Sequence, residues 1–133
     1  MAFMRWDDEW TLDIPLIDDQ HRRLLRMIDE FHDAMAMGMG HETAAALLCT
    51  LVEYTRTHFA TEEQYMREVG FPGAVVHRYE HEKLIAQIEG YRAKVDNGEL
   101  DVTIELMEFL RAWLTGHIAY ADRKYGDHAR KKT

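Results

Sequence analysis

Serine is absent from the 133 residues, so no serine hydroxyl is available as a nucleophile and serine-based acyl transfer is excluded. Cysteine occurs once, at position 49. No internal disulfide can form, which agrees with a reducing compartment. Cys49 precedes His58 by nine residues, about 13 Å along a helix, too far for the two to share a site. A buried free thiol is its expected state. No glycine-rich phosphate loop occurs. No run approaches the roughly 18 apolar residues of a membrane span, and Met1 to Trp10 lacks a signal-type apolar core. Positive charge is in deficit, with 16 Lys and Arg against 24 Asp and Glu and a net charge of −8. That balance disfavours nucleic acid and anionic membranes as partners. A cytoplasmic location is expected.

Apolar residues make up 47% and charged residues 30%, the balance of a globular protein with a real core. A chain of 133 residues fits one domain. Residues 1–17 read as an irregular arm, because Pro15 disfavours helix at the residue before it. Phe3, Trp6 and Trp10 are expected to lay that arm across the ends of the helices. Four helices follow. The first, 18–37, starts at an Asp18 or Asp19 cap and repeats Ile17, Leu24, Leu25, Ile28, Phe31 and Met35 at spacings of three and four. Gly38 and Gly40 end it. The second, 42–69, carries Leu47, Leu48, Leu51, Tyr54, His58, Glu62 and Met66 on one stripe. Gly70 to Gly73 stops the chain and restarts it, with Pro72 in the first turn of the third helix, 73–95. Its inward face reads His77, His81, Leu84, Ile88, Tyr91 and Val95. A turn at Asp96-Asn97-Gly98 leads to the fourth helix, 100–124. Strand signals are absent. Short turns between long amphipathic helices imply an all-α, antiparallel, up-down-up-down four-helix bundle.

The bundle gathers the histidines. His77 and His81, and likewise His58 and Glu62, stand four apart and so project from one helix face. With turns centred near 39, 71 and 97, His21 lies 18 residues before the first turn and His58 lies 19 after it. His77 lies 20 before the third turn and His117 lies 20 after it. Seven ligand-type residues, His21, His58, Glu62, His77, His81, His117 and Asp122, therefore fall into one slab. Any one buried histidine is more often a hydrogen-bonded core residue. Five imidazoles and two carboxylates together, without a metal, would carry a desolvation cost of several kcal/mol each.

Seven ligands exceed one four-coordinate zinc, and imidazole with carboxylate suits iron or manganese, so two ions sharing carboxylates is the natural reading. The spacing of five between His117 and Asp122 puts them about 140° apart on a regular α-helix, which suits a carboxylate leaning across to bridge. Five histidines cannot divide evenly between two ions. One ion keeps a vacancy.

Asp-Asp-Gln-His21, His58-xxx-Glu62, His77-xxx-His81, His117-xxxx-Asp122 and Trp113-Leu-xx-His-Ile118 together resemble the hemerythrin family, in its single-domain bacterial branch, over nearly the whole chain. The resemblance implies two non-haem irons bridged by Glu62, Asp122 and an oxo or hydroxo group. It gives His77, His81 and His117 to the filled iron and His21 and His58 to the open one. Phe59, Trp113, Leu114 and Ile118 would wall the open site against water. The implied activity is reversible dioxygen binding, for storage, transport or delivery, by a monomer that is not an enzyme, with an oxygen-consuming acceptor protein as a possible partner. The alternative is a di-iron enzyme or sensor acting on oxygen, peroxide or nitric oxide.

Other features carry less. His32 is about 16 Å along the helix from His21 and cannot reach the slab. His41, His128 and the basic tail from Arg130 are expected in solvent. Met35, Met37 and Met39 resemble a copper(I) string but suit packing better. Tyr54, Tyr65 and Tyr120 lie near the slab by register, and Gly116 is expected where two helices approach closely.

Overall fold

The computed structural model describes residues 4–38, 41–97 and 104–131. A short 3-10 turn at Asp8–Trp10 precedes α1 (Pro15–Ala36), α2 (His41–Glu68), α3 (Ala74–Asp96) and α4 (Ile104–Gly116). A π-helical segment, His117–Asp122, then runs into α5 (Arg123–Lys131). Gly116 and Arg123, on either side of that segment, both keep right-handed helical dihedrals. The last three elements are thus one continuous fourth rod, and the architecture is the expected four-helix bundle. No described residue lies in a strand. No described helix is long and apolar enough to cross a membrane.

Two apolar clusters divide the interior. The larger joins Leu24, Ile28, Leu48, Leu51, Ile88, Leu106, Leu110 and Leu114 from all four rods. The smaller, Leu12, Ile17, Met66 and Tyr125, closes the opposite end. Among the described residues the buried histidines lie on the stretch of chain between the two. α2 stops by a Schellman arrangement: Phe71 N–H donates to Met66 O (3.0 Å) and Gly70 N–H to Arg67 O (3.2 Å). Gly70 has φ 63°, a conformation that glycine adopts at no steric cost. That geometry aims Phe71 back at Tyr125, with ring centroids 6.4 Å apart.

The start of α1 departs from expectation. The helix begins at Pro15, with Ile14 as N-cap and no side-chain cap. Proline fits there because its missing N–H has no partner in a first turn anyway. Asp18 is therefore inside the helix and reaches back: its carboxylate accepts from Leu12 N–H (2.9 Å) and Ile14 N–H (3.3 Å). Asp13 between them has φ 63°, strained for a non-glycine residue and held by those flanking bonds. The arm lies along α1 instead of across the helix ends. Met4 N–H donates to Asp29 (2.7 Å), and the Arg22 guanidinium sits 4.6 Å from the Trp6 ring centre. Farther on, Arg123 donates to Glu9 O and Arg130 pairs with Asp13 at 2.9 Å.

Other boundaries also moved. Pro72 lies before the Gly73 N-cap, outside the first turn of α3. The fourth rod extends to Lys131, beyond the expected end at 124. This places His128 in a helix, where its Nε2 lies 3.1 Å from Val69 O and its ring packs on Phe71, so it is not solvated. Arg130 is exposed, as expected, and pairs with Asp13 of the arm. His41 opens α2 instead of lying in a loop. Cys49 is half-buried, less enclosed than expected. A Cβ on Gly116 would meet nothing within 4 Å, so that glycine does not mark a close approach. A Cβ on Gly126 would come within 3.2 Å of Leu12, so the close approach is there, between arm and α5. Phe3, Met39, Gly40, Gly98 and Lys132 lie outside the described residues.

Asp18→Ala should lower stability by about 1.5–3 kcal/mol, since two backbone donors lose a charged acceptor. Asp19, 77% exposed, should tolerate Ala within about 0.5 kcal/mol. Equal denaturation midpoints for the two variants would show that Asp18 does not hold the arm.

Candidate metal centre

α1 supplies His21, α2 supplies His58 and Glu62, α3 supplies His77 and His81, and the π segment supplies His117 and Asp122. All seven are buried, none more than 4% exposed. On α2 and α3 the spacing of four stacks each pair on one face. The fourth rod has a spacing of five and solves the problem differently. Its i→i+5 turn carries residue 122 once around the axis, so Asp122 returns to the face of His117. His117 Nε2 and Asp122 Oδ2 are 2.8 Å apart. The 140° separation expected from a regular α-helix is thereby corrected.

The ligand atoms form two overlapping groups, each with all its atoms within 4.8 Å of one another. One is His21, His58, Glu62, His117 and Asp122; the other is Glu62, His77, His81, His117 and Asp122. Both carboxylates are shared, and each divides its two oxygens. Glu62 Oε1 faces His58, His117 (2.7 Å) and His21 (3.5 Å), while Oε2 faces His77 (3.5 Å) and His81 (3.6 Å). Asp122 Oδ2 faces His21 (2.7 Å) and His117 (2.8 Å), while Oδ1 faces His77 (3.0 Å). His117 is the one imidazole common to both groups, and its shortest approaches are to the oxygens on the His21 side.

Hydrogen bonding alone leaves this cluster unsatisfied. The Nε2 atoms of His21, His58, His77 and His81, with Glu62 Oε2 and both Asp122 oxygens, are buried without a bond of acceptable geometry. Buried polar atoms without partners converging on one volume are what a cation would satisfy once the imidazoles are neutral, and nitrogen with carboxylate oxygen is the donor set of a transition-metal site. The residues fit a metal.

Outer contacts fix the imidazoles. His58 Nδ1–H donates to Gln20 Oε1 (2.7 Å), and the Gln20 amide N–H donates to Thr61 Oγ1 (3.2 Å). That chain orients the Gln20 amide and turns the His58 Nε2 lone pair inward. His81 Nδ1–H donates to Glu63 Oε2 (3.0 Å). Neither Gln20 nor Glu63 was marked as functional by the sequence, although each is the chain neighbour of a ligand-type residue. Asking what holds each outer nitrogen would have found them.

The apolar residues surround the centre unevenly. Phe59 stacks face to face on His81, with centroids 3.8 Å and planes 3° apart, and meets His117 at 5.1 Å. Trp113 lies nearly parallel to His117 at 6.1 Å. Phe59 also reaches His58, at 5.9 Å, so it touches both ligand groups, and Trp113 lies beside the shared His117. Leu114 and Ile118 are fully buried, and helical rotation carries them to the flank of His117 away from Trp113. Of the tyrosines singled out by register, Tyr54 is half-buried under Arg23 (5.0 Å) and Tyr65 packs on Tyr125 (5.8 Å). The Tyr120 side chain is not described. Among the described side chains the tyrosine at the centre is Tyr125, fully buried with its ring 5.6 Å from His77. A groove of about 530 Å³ between α3 and the fourth rod reaches the edges of His77, His81 and His117, with Gly116 in its wall.

Burial opposes charge throughout the cluster, and the carboxylates decide where it survives. Against that burial, Asp122 and Glu62 raise His117 to about 10 and His77 to about 9. For His58 burial prevails and its pKa falls. Glu62 is held well below the usual carboxylate range by His117 and His58, despite its burial.

Fold and donor set define a helical-bundle protein with a buried cation site. The description that matches residues 12–129 is the hemerythrin HHE cation binding domain. The chain is 35% identical to the bacteriohemerythrin of Stenotrophomonas maltophilia strain R551-3 and 38% identical to that of Pseudomonas aeruginosa strain LESB58. Each alignment covers 98% of this chain and 84% of the relative. A wild-type hemerythrin crystal structure superposes with TM-score 0.89 at 31% identity, covering 96% of this chain and 98% of that one. The chain belongs to the hemerythrin family.

Metal loading should release protons at neutral pH, because His77 and His117 are charged in the metal-free state and must be neutral to bind. Metal affinity should accordingly rise with pH up to about 9 and 10. In the metal-free protein the same two groups stabilise the fold below their unfolded value of 6.5. That stability is lost as pH climbs through about 9 and 10. Titrating metal into weakly buffered protein measures the release; pH-neutral loading would show that the cluster is not charged as described.

Proposed function

We propose that this chain binds dioxygen reversibly at a pair of non-haem irons, as a carrier for storage or delivery and not as an enzyme. The observation that carries the reading is the divided carboxylates. Glu62 and Asp122 each turn one oxygen toward His21 and the other toward His77, which is the disposition of two bridges across two ions. Five imidazoles then remain for two positions and split three against two. By the family resemblance we assign His77, His81 and His117 to the filled iron and His21 and His58 to the open one, with an oxo or hydroxo group as third bridge. His117, common to both groups, is the residue that decides which iron is short of a ligand.

When bound, the two ferrous irons supply the electrons that dioxygen takes up and returns, so no outside reductant enters the cycle. The side chains do the rest. Gln20 and Glu63 keep protons on the outer nitrogens of His58 and His81 and the lone pairs turned inward. Leu114 and Ile118, on the His117 flank away from Trp113, exclude water where the vacancy falls, and Phe59, which reaches His58, and Trp113 complete the apolar wall. A dry vacancy favours return of the gas over its reduction. Such a carrier suits a cytoplasmic monomer that delivers to a separate oxygen-consuming acceptor.

Iron-loaded protein should contain two irons per chain and develop a charge-transfer absorption in air that disappears under argon, with dioxygen recovered over repeated cycles. Steady dioxygen consumption coupled to oxidation of an added reductant would defeat the carrier reading. A single ion per chain would defeat the bridged-pair reading.

A further inference from the structure

Tyr125 is a phenol in a place where a phenylalanine would pack as well. Its ring fills the apolar cluster of Leu12, Ile17 and Met66 and meets His77 at 5.6 Å, Tyr65 at 5.8 Å and Phe71 at 6.4 Å. The hydroxyl is buried and has no hydrogen-bond partner of acceptable geometry, a costly state for a donor with no water beside it. Glu62 Oε2 is a buried acceptor in the same state. The ring that carries the hydroxyl lies 5.6 Å from His77, whose Nε2 is 3.5 Å from that same Glu62 oxygen, and burial with the nearby Asp122 and Glu62 charges keeps the phenol protonated. A protonated donor and an unmet anionic acceptor thus both lie beside His77, each buried and without a partner.

We infer that Tyr125 is a positioning residue that donates its hydroxyl hydrogen bond to the Glu62 carboxylate and tempers that carboxylate as a metal ligand. The inference rests on the proposed iron pair for its redox consequence, but the bond itself does not need iron. Donation withdraws electron density from an anionic ligand. A weaker anionic ligand favours the lower oxidation state of whatever metal it holds, so the hydroxyl preserves the ferrous form. Tyr65 packs on the Tyr125 ring but is only partly buried, which makes it the control.

Two measurements separate the bond from its consequence. In the full chain loaded with redox-inert zinc, Tyr125→Phe should shift the carboxylate stretching bands seen by infrared difference spectroscopy, whereas Tyr65→Phe should leave them in place. In the iron-loaded protein, Tyr125→Phe should lose the ferrous form in air about tenfold faster, the size expected for one charge-assisted hydrogen bond. Should Tyr125→Phe not fold, 3-fluorotyrosine at position 125, a stronger donor of nearly the same shape, should shift the bands oppositely and slow that loss. Unchanged carboxylate bands, or the same changes in Tyr65→Phe, would overturn the inference. Failure of iron loading with the zinc bands still shifted would count against the iron pair and leave the hydrogen bond standing.

Discussion

The constraint on which this structure depends is the burial of two carboxylates among five imidazoles with too few hydrogen bonds to satisfy them. An isolated buried charge is expensive, and an ion pair in low dielectric gains stability only when its remaining lone pairs are met. Here many are not met, because the imidazole nitrogens point at a shared volume instead of along hydrogen-bond directions. The bundle therefore does more than bury apolar surface. It holds a repulsive, thirsty set of groups in register, and the two apolar clusters at either end supply the stability that lets it do so.

Much of the remaining architecture can be seen as restraint on that set. Gln20 and Glu63 clamp two imidazoles from behind, and Phe59 clamps His81 by stacking. Asp18 ties the arm to α1 three residues before His21, and Arg123, the residue after Asp122, ties the same arm to the fourth rod. The arm is thus a strap joining the chain segments that carry the first and last ligand-type residues. Its strained Asp13 is placed where those ties over-determine the backbone.

The sequence revealed the bundle and the seven clustered residues because both follow from periodicity and from distances counted along rods, which short turns cannot alter. It was poorer wherever one local interaction competes with another. Asp18 looks like a helix cap, but Pro15 nucleates the helix earlier and frees the carboxylate for a different use. Tyr54 and Tyr65 follow the register of the ligands, yet Tyr125 holds the buried position, since it lies one turn beyond Asp122 in a rod expected to end at 124. His128 was placed in solvent for the same reason. The angle between His117 and Asp122 was misjudged because it assumed a uniform helix, and nothing in residues 117–122 announces a wider turn except the spacing of the two ligand-type residues themselves.

That wider turn has a consequence for symmetry. Four rods running alternately up and down approximate a two-fold arrangement, and a pair of ions in such a frame would tend toward equivalence. Two of the ligand pairs, His58 with Glu62 and His77 with His81, are built on identical α-helical spacing. The third is built on a turn with one residue more, and α1 contributes a single imidazole in place of a pair. If two ions fill the cluster as proposed, their inequality would be written into the backbone before any metal arrives, as a dislocation in an otherwise regular lattice of turns.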